Sequence, residues 1–242
     1  VEATCRKSKI YHAGAAQQRI ETAIRETIGA PISKDAAIVI KTRIIDDLVS
    51  VSIDTSGESL HKRGHKEAVN KAPMRETLAA VFLRQMGYDG TQPVYDPMCG
   101  SGTFVIEAAE WARGLAPGRS RSFGFEQLAS FDAQAWDAMK SAVQTRDIDP
   151  RFYGSDRDQG AIAMSQANAK RAGVDDICTF QLAAISDAAA PESVSNSAKN
   201  GIVILNPPYG GRIGDRKMLF SLYGAMGQTL TQNFRGWRVG II

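Results

Sequence analysis

Asp96-Pro-Met-Cys-Gly-Ser-Gly-Thr103 and, about a hundred residues further on, Gly201-Ile-Val-Ile-Leu-Asn-Pro-Pro-Tyr209 are the two stretches whose reading decides the fold. Pro93-Val-Tyr95 before the first is a short apolar strand, Gly100 and Gly102 form a tight turn, and Thr103-Phe-Val-Ile-Glu-Ala-Ala109 opens a helix. Glycines let a backbone approach a ligand, and a helix N-terminus offers free N–H groups. In the second stretch the run from Gly201 to Leu205 reads as a buried strand. Asn206 therefore emerges at a strand's C-terminal end, where open α/β sheets bind ligands.

The residue types suit one chemistry. An exocyclic amine on a nucleobase is a poor nucleophile because its lone pair is delocalised into the ring. The amide oxygen of Asn206 can accept one of its N–H bonds and the carbonyl of Pro207 the other. Two acceptors draw the nitrogen toward a tetrahedral shape and aim its lone pair at an incoming methyl group. Pro207 and Pro208 hold the backbone there, since φ is fixed at both. Tyr209 offers a face on which an extruded base can stack. The bland alternative is a strand-ending turn, for which Asn-Pro and the following Gly210-Gly211 are ordinary material.

The glycine turn is the donor half. By itself it is weak evidence, because dinucleotide-binding folds use the same device. Here the spacing is Gly-x-Gly-x-x-x, and Asp96 precedes the turn. S-adenosylmethionine, with positive amino and sulfonium groups that favour a nearby carboxylate, suits this better than a pyrophosphate. Candidate cofactor residues are thus Asp96, Pro97, Cys99, Gly100, Ser101, Gly102 and Thr103, with Cys99 read as a small residue that fits rather than as a nucleophile.

With both halves in view, the chain resembles the THUMP-associated RNA guanine-N2 methyltransferases, the family containing the bacterial 23S ribosomal RNA guanine-N2 enzyme. The likeness also rests on Leu60-His-Lys-Arg-Gly64, Ala72-Pro-Met-Arg-Glu76 with a helix from Thr77 to Gln85, Gly154-Ser-Asp156, Asn206-Pro-Pro-Tyr-Gly-Gly-Arg212 and Gly236-Trp-Arg238. It implies a class I, Rossmann-like α/β methyltransferase preceded by part of an α+β THUMP-like module. Residues 1–58 correspond to that module, 59–72 to a basic linker and 73–242 to the methyltransferase domain. It also implies that Asp156, with Arg157 beside it, holds the cofactor's ribose hydroxyls, and that Arg75 and Glu76 line its methionine end. Where relatives often carry an adenine-binding Asp, this chain has Ala184, which leaves the role to Asp187 or to a backbone group. Both ends read as cut, since Trp237 to Ile242 would be the fifth strand of a sheet that usually has seven.

The generic ribose acid lies about twenty residues beyond the glycine turn, whereas Asp156 lies more than fifty beyond Gly102. Arg113 to Pro150 is therefore an insertion. Phe123-Gly-Phe-Glu126 and a helical stretch near Asp132 to Thr145, with Trp136 and Met139 spaced for one face, mark it as packed.

Lys and Arg exceed Asp and Glu by 29 to 26, and residues 1–75 hold thirteen basic against nine acidic residues, so the net charge of +3 belongs to the front. His61, Lys62, Arg63 and Lys66, with Lys7 and Lys9, are candidates for RNA phosphate contact, which gains affinity by releasing counterions. On charge alone a solvated linker is an equal alternative; the resemblance favours ribosomal or transfer RNA. The histidines lack ligand spacing, so no metal is expected. Three unpaired cysteines favour a reduced, cytoplasmic setting, and no segment reaches the roughly 20 apolar residues that cross a bilayer. The front should be a helix from Gly14 to Ile28 followed by two strands flanking Asp46-Asp47. After Pro73, helices and strands alternate, implying a parallel sheet. Two other functions stay open: adenine-N6 methylation, which shares the tetrapeptide, and a non-catalytic RNA-binding or ribosome-assembly factor with a degenerate pocket.

Overall fold

Five parallel strands set the frame of the computed structural model, which describes residues 1–66, 74–149, 151–191, 201–208 and 216–242. The chain forms two compact units, Val1–Leu60 with Arg121–Met139, and His61–Ser120 with Lys140–Ile242.

In the first unit, β1 (Glu2–Arg6) leads through α1 (Ala13–Ile28) to β2 (Val39–Ile45), which pairs parallel with β1 and antiparallel with β3 (Leu48–Asp54). Asp46 and Asp47 both have positive φ, 51° and 64°. Two-residue turns of that hand match strand twist, which is why this dipeptide closes the hairpin. The Nδ1 atom of His12 accepts from the Ala15 amide at 3.0 Å, so this histidine caps α1.

Arg121–Met139 folds with this sheet, although its place in the sequence assigns it to the methyltransferase domain. The Arg121 guanidinium donates to the carbonyls of Ser56, Glu58 and Ser59 at 2.9, 2.6 and 3.0 Å. Phe125 donates its amide to the Thr55 carbonyl at 3.0 Å. Phe123, Phe125, Phe131 and Trp136 cluster with ring centroids 5.0 to 5.9 Å apart. Helix α4 (Ala133–Ser141) is shorter than the expected stretch and uses Trp136, while Met139 stays 65% exposed.

The second unit runs α2 (Glu76–Gln85), β4 (Val94–Asp96), α3 (Thr103–Arg113), β5 (Phe152–Asp156), α5 (Gln159–Ala172), β6 (Cys178–Leu182), β7 (Ile202–Leu205), α6 (Arg216–Asn233) and β8 (Arg238–Ile241). All its strand pairings are parallel, in the order β6-β5-β4-β7-β8. Both faces are covered, as a parallel sheet requires. Val94, Phe152, Ile202 and Ile204 join one buried cluster; Tyr95, Val203 and Leu205 join another with Met226 and Phe234. Every residue of β7 is fully buried, which explains why it reads as an unbroken apolar run.

One glycine in this sheet has a packing reason. A Cβ at Gly154 would lie 2.7 Å from the Phe180 ring and 3.1 Å from the Cys99 Cβ. Gly154→Ala should therefore cost about 1–3 kcal/mol, read as a lower denaturation midpoint in urea. An unchanged midpoint would show that Phe180 moves aside freely.

Candidate active site

Strand order places the site. Because all five strands run the same way, the ends of β4, β5, β6 and β7 lie along one edge of the sheet, and the chain reverses direction of growth between β4 and β7. Ligands of open α/β sheets bind at such a switch point. Asp96 ends β4 on one side of it, and Asn206 follows β7 on the other.

The turn after β4 is held from two directions. Gly100 donates its amide to Oδ2 of Asp156 at 3.0 Å, and the Asp158 amide donates to Oδ1 at the same distance. From α5, Ser165 donates to the Gly100 carbonyl at 2.9 Å and Asn168 to the Ser101 carbonyl at 3.1 Å. Gly100 and Gly102 take φ of 54° and 80°, and a Cβ on Gly100 would meet nothing within 4 Å, so open space adjoins the turn there. Asp156 is half-buried, and an ionised carboxylate offers about four acceptor positions, so it retains capacity for hydroxyl donors.

Asp96 is 2% exposed and accepts the Met98 amide at 3.0 Å. Burial pushes its carboxyl up to about 8, against the Met98 hydrogen bond and with the charge of Asp156 adding to the rise. Pro97, Ser101 and Thr103 are buried too, and burial holds the Cys99 thiol protonated, in keeping with a packing residue. Among the described residues this edge therefore combines a carboxylate lacking a cation, an open glycine turn and a second carboxylate with spare acceptors. A ligand bearing positive charge and vicinal hydroxyls fits it.

The remaining cofactor candidates sit unevenly. Arg75 and Arg157 are exposed, as is Asp187 at the end of a single 3₁₀ turn, Ile185–Asp187, while Ala184 is half-buried just before that turn. Glu76 is buried and occupied: its Oε1 lies 2.9 Å from the Lys66 ammonium.

On the acceptor side, Asn206 is half-buried, Pro207 buried and Pro208 half-buried. Tyr209 lies outside the described residues. A partner that the sequence does not reveal is Tyr223 on α6, whose hydroxyl donates to the Pro208 carbonyl at 2.9 Å.

The basic link departs from expectation. Lys62 is exposed and His61 half-buried, but Arg63 and Lys66 turn inward. Arg63 forms two bonds to the Glu107 carboxylate, 3.0 and 3.1 Å. Lys66 also donates to Thr103 Oγ1 at 2.9 Å and to the Met74 carbonyl at 3.1 Å. Burial with Arg119 nearby pushes His65 down to about 4, and burial pushes Glu110 up to about 7. Their 3.7 Å approach is therefore no ion pair at neutral pH, and Arg119 at 2.6 Å is the partner of Glu110. Phosphate contact by Arg63 or Lys66 would strand the carboxylates of α2 and α3 in the interior, so the expectation does not carry over to these two. Lys7 and Lys9, in the other unit, are exposed.

A parallel sheet of this order, with a glycine turn and paired carboxylates on one side of its switch point and Asn-Pro-Pro on the other, defines a Rossmann-like methyltransferase. More narrowly, the chain belongs to the RMKL-like methyltransferase domain family (UPF0020), whose model matches residues 63–242. Over 218 residues it is 41% identical to a ribosomal RNA large subunit methyltransferase K/L of Vibrio cholerae, a match covering 87% of this chain and 30% of that protein. The chain thus spans about 30% of the length of the curated relatives it matches. A solved structure described as a predicted N6-adenine-specific DNA methylase from Listeria monocytogenes superposes with a TM-score of 0.85 at 30% identity, covering 99% of this chain and 64% of that one. The structure of SMU.472 in complex with SAH superposes at 0.82, with 29% identity, 100% of this chain covered and 64% of that one.

Proposed function

We propose that the protein is an S-adenosylmethionine-dependent RNA methyltransferase that acts on the exocyclic N2 amine of a guanosine in structured RNA, with ribosomal RNA as the first candidate. The observation that carries this is the pairing across the switch point of the Asp96 to Gly102 turn with Asn206-Pro207-Pro208. S-adenosylmethionine supplies the methyl group as an electrophile on a sulfonium centre. Asp96 balances its positive charge, Gly100 and Gly102 allow its close approach, and Asp156 accepts from its ribose. Asn206 and the Pro207 carbonyl orient the target amine, and Tyr209 stacks on the base. Identity to the ribosomal RNA relatives supports the RNA class. The first unit serves as the tail of a THUMP-like module, with Lys7 and Lys9 toward phosphate; in the second unit Lys62 is the exposed member of the basic link that does the same.

The test uses the protein with its natural ends, radiolabelled cofactor, and unmodified ribosomal and transfer RNA, followed by nucleoside identification. Labelled N2-methylguanosine is expected from ribosomal RNA. Label on adenosine would replace the acceptor with adenine N6, the reading suggested by the description of the Listeria structure. Cofactor binding without transfer to any nucleic acid would favour the degenerate-pocket reading.

Cofactor affinity should depend on pH. The folded-state pKa of Asp96 lies above the ordinary carboxylate value, so without ligand the protein loses stability as pH rises from about 4 to about 8. A cation beside the carboxyl favours ionisation and reverses that effect. Binding therefore releases a proton, and the dissociation constant should fall severalfold between roughly pH 6 and pH 8. Calorimetry in buffers of differing ionisation enthalpy reads the proton directly. A flat profile would mean that Asp96 is already ionised or does not face the cation.

A further inference from the structure

We infer that Tyr223 is a positioning residue for Asn206-Pro207-Pro208, an inference that rests on the reading of Asn206 and the Pro207 carbonyl as the acceptors of the target amine. Neither Pro207 nor Pro208 has an N–H, so backbone anchorage at this point depends on carbonyls. The rings fix φ at both residues, leaving ψ as the soft dihedral. The Tyr223 hydroxyl bonds the Pro208 carbonyl at 2.9 Å and so removes the freedom of ψ at Pro208.

The group that supplies this bond is itself held. Leu222, next to Tyr223, and Leu230 pack against a buried cluster containing Met226 from the same helix, Tyr95 from β4, Val203 and Leu205 from β7, and Phe234. Helix α6 is thus seated on the strand that carries the Asp96 turn and on the strand that carries Asn206. A hydroxyl presented from it refers the Pro208 backbone to both halves of the site. Tyr223 itself is 37% exposed and is not a member of that cluster.

Tyr223→Phe removes the oxygen alone. The experiment measures kcat and KM for ribosomal RNA, cofactor affinity and melting temperature, using the full-length protein. The expected result is a fall in kcat of about tenfold, between the loss of one hydrogen bond and the roughly hundredfold cost of a misplacement near 1 Å. Cofactor affinity and melting temperature should stay at wild-type values. Thr231→Val is the control, since it deletes another hydroxyl-to-carbonyl bond on the same helix, to Gly227, with no link to the tetrapeptide. Its kcat should be unaltered. Wild-type kcat in Tyr223→Phe, or equal losses in both variants, would overturn the positioning role while leaving the function standing. Absence of transfer by the wild-type protein would instead remove the function and the inference with it.

Discussion

Asn206→Ala should lower the single-turnover rate of methyl transfer by about 10²–10³-fold, the usual consequence of deleting one preorganised polar group aimed at developing charge. Cofactor affinity should remain within about twofold, because Asn206 follows β7 while the glycine turn, Asp96 and Asp156 belong to β4 and β5. Stability should change little as well. The residue is half-buried at a strand end, and the β7 core before it, Ile202 to Leu205, is untouched. This combination distinguishes a role in the transition state from a role in folding. Asn206→Asp sharpens the result: it keeps an acceptor oxygen but adds a negative charge beside an electron-rich base, and should recover only part of the rate. Transfer at the wild-type rate in Asn206→Ala would dismiss the two-acceptor mechanism outright.

Most of the second unit is legible in the sequence because its central strands, β4 and β7, are buried on both faces. Ile202 to Leu205 is an unbroken apolar run bounded by Gly201 and by Asn206-Pro207, which fixes both its length and its direction. Gly100 and Gly102 mark the turn through backbone angles that other residues adopt only with strain. Periodicity locates α1, expected from Gly14 to Ile28 and found at Ala13–Ile28, and the glycine turn itself announces α3. What stays hidden depends on pairings between distant residues. Arg121 reaches back more than sixty positions to close the loop after β3. Nothing in its own neighbourhood shows this. Tyr223 carries no signal in its own stretch of sequence, and its role emerges only once the Pro208 carbonyl is beside it.

The charged residues show the same limit. His61 to Lys66 reads as a basic patch, and nothing in the sequence pairs it with the acids of α3. In the fold Glu107 and Glu110 are 7% and 4% exposed, and nine of the eleven residues of α3 are buried. A charge run carries no label saying whether its counterions will be phosphates or the protein's own carboxylates.

Glu107→Ala decides between those two uses of Arg63. The pair is bidentate, and its side chains retain 11% and 7% exposure, so removing Glu107 takes a two-point carboxylate contact away from a guanidinium with little water around it. The expected cost is about 3 kcal/mol, typical of breaking a buried pair from one side. In a unit of this size that corresponds to a melting temperature lower by roughly 6–12 °C. Replacing both members, as in Arg63→Met with Glu107→Leu, should recover most of the deficit, because an apolar pair of similar volume carries no desolvation cost. The same proteins can be titrated with RNA at several salt concentrations. If the link faces inward, the double variant keeps the wild-type dependence of log K on log salt, whereas Lys7→Ala or Lys9→Ala lowers the slope by roughly one for each phosphate no longer neutralised. A reduced slope in the double variant, with stability unaffected in Glu107→Ala, would return Arg63 to the RNA interface. The inward result instead assigns the link the task of holding α3, and therefore the glycine turn at its N-terminus, in the place where the cofactor's charge is met.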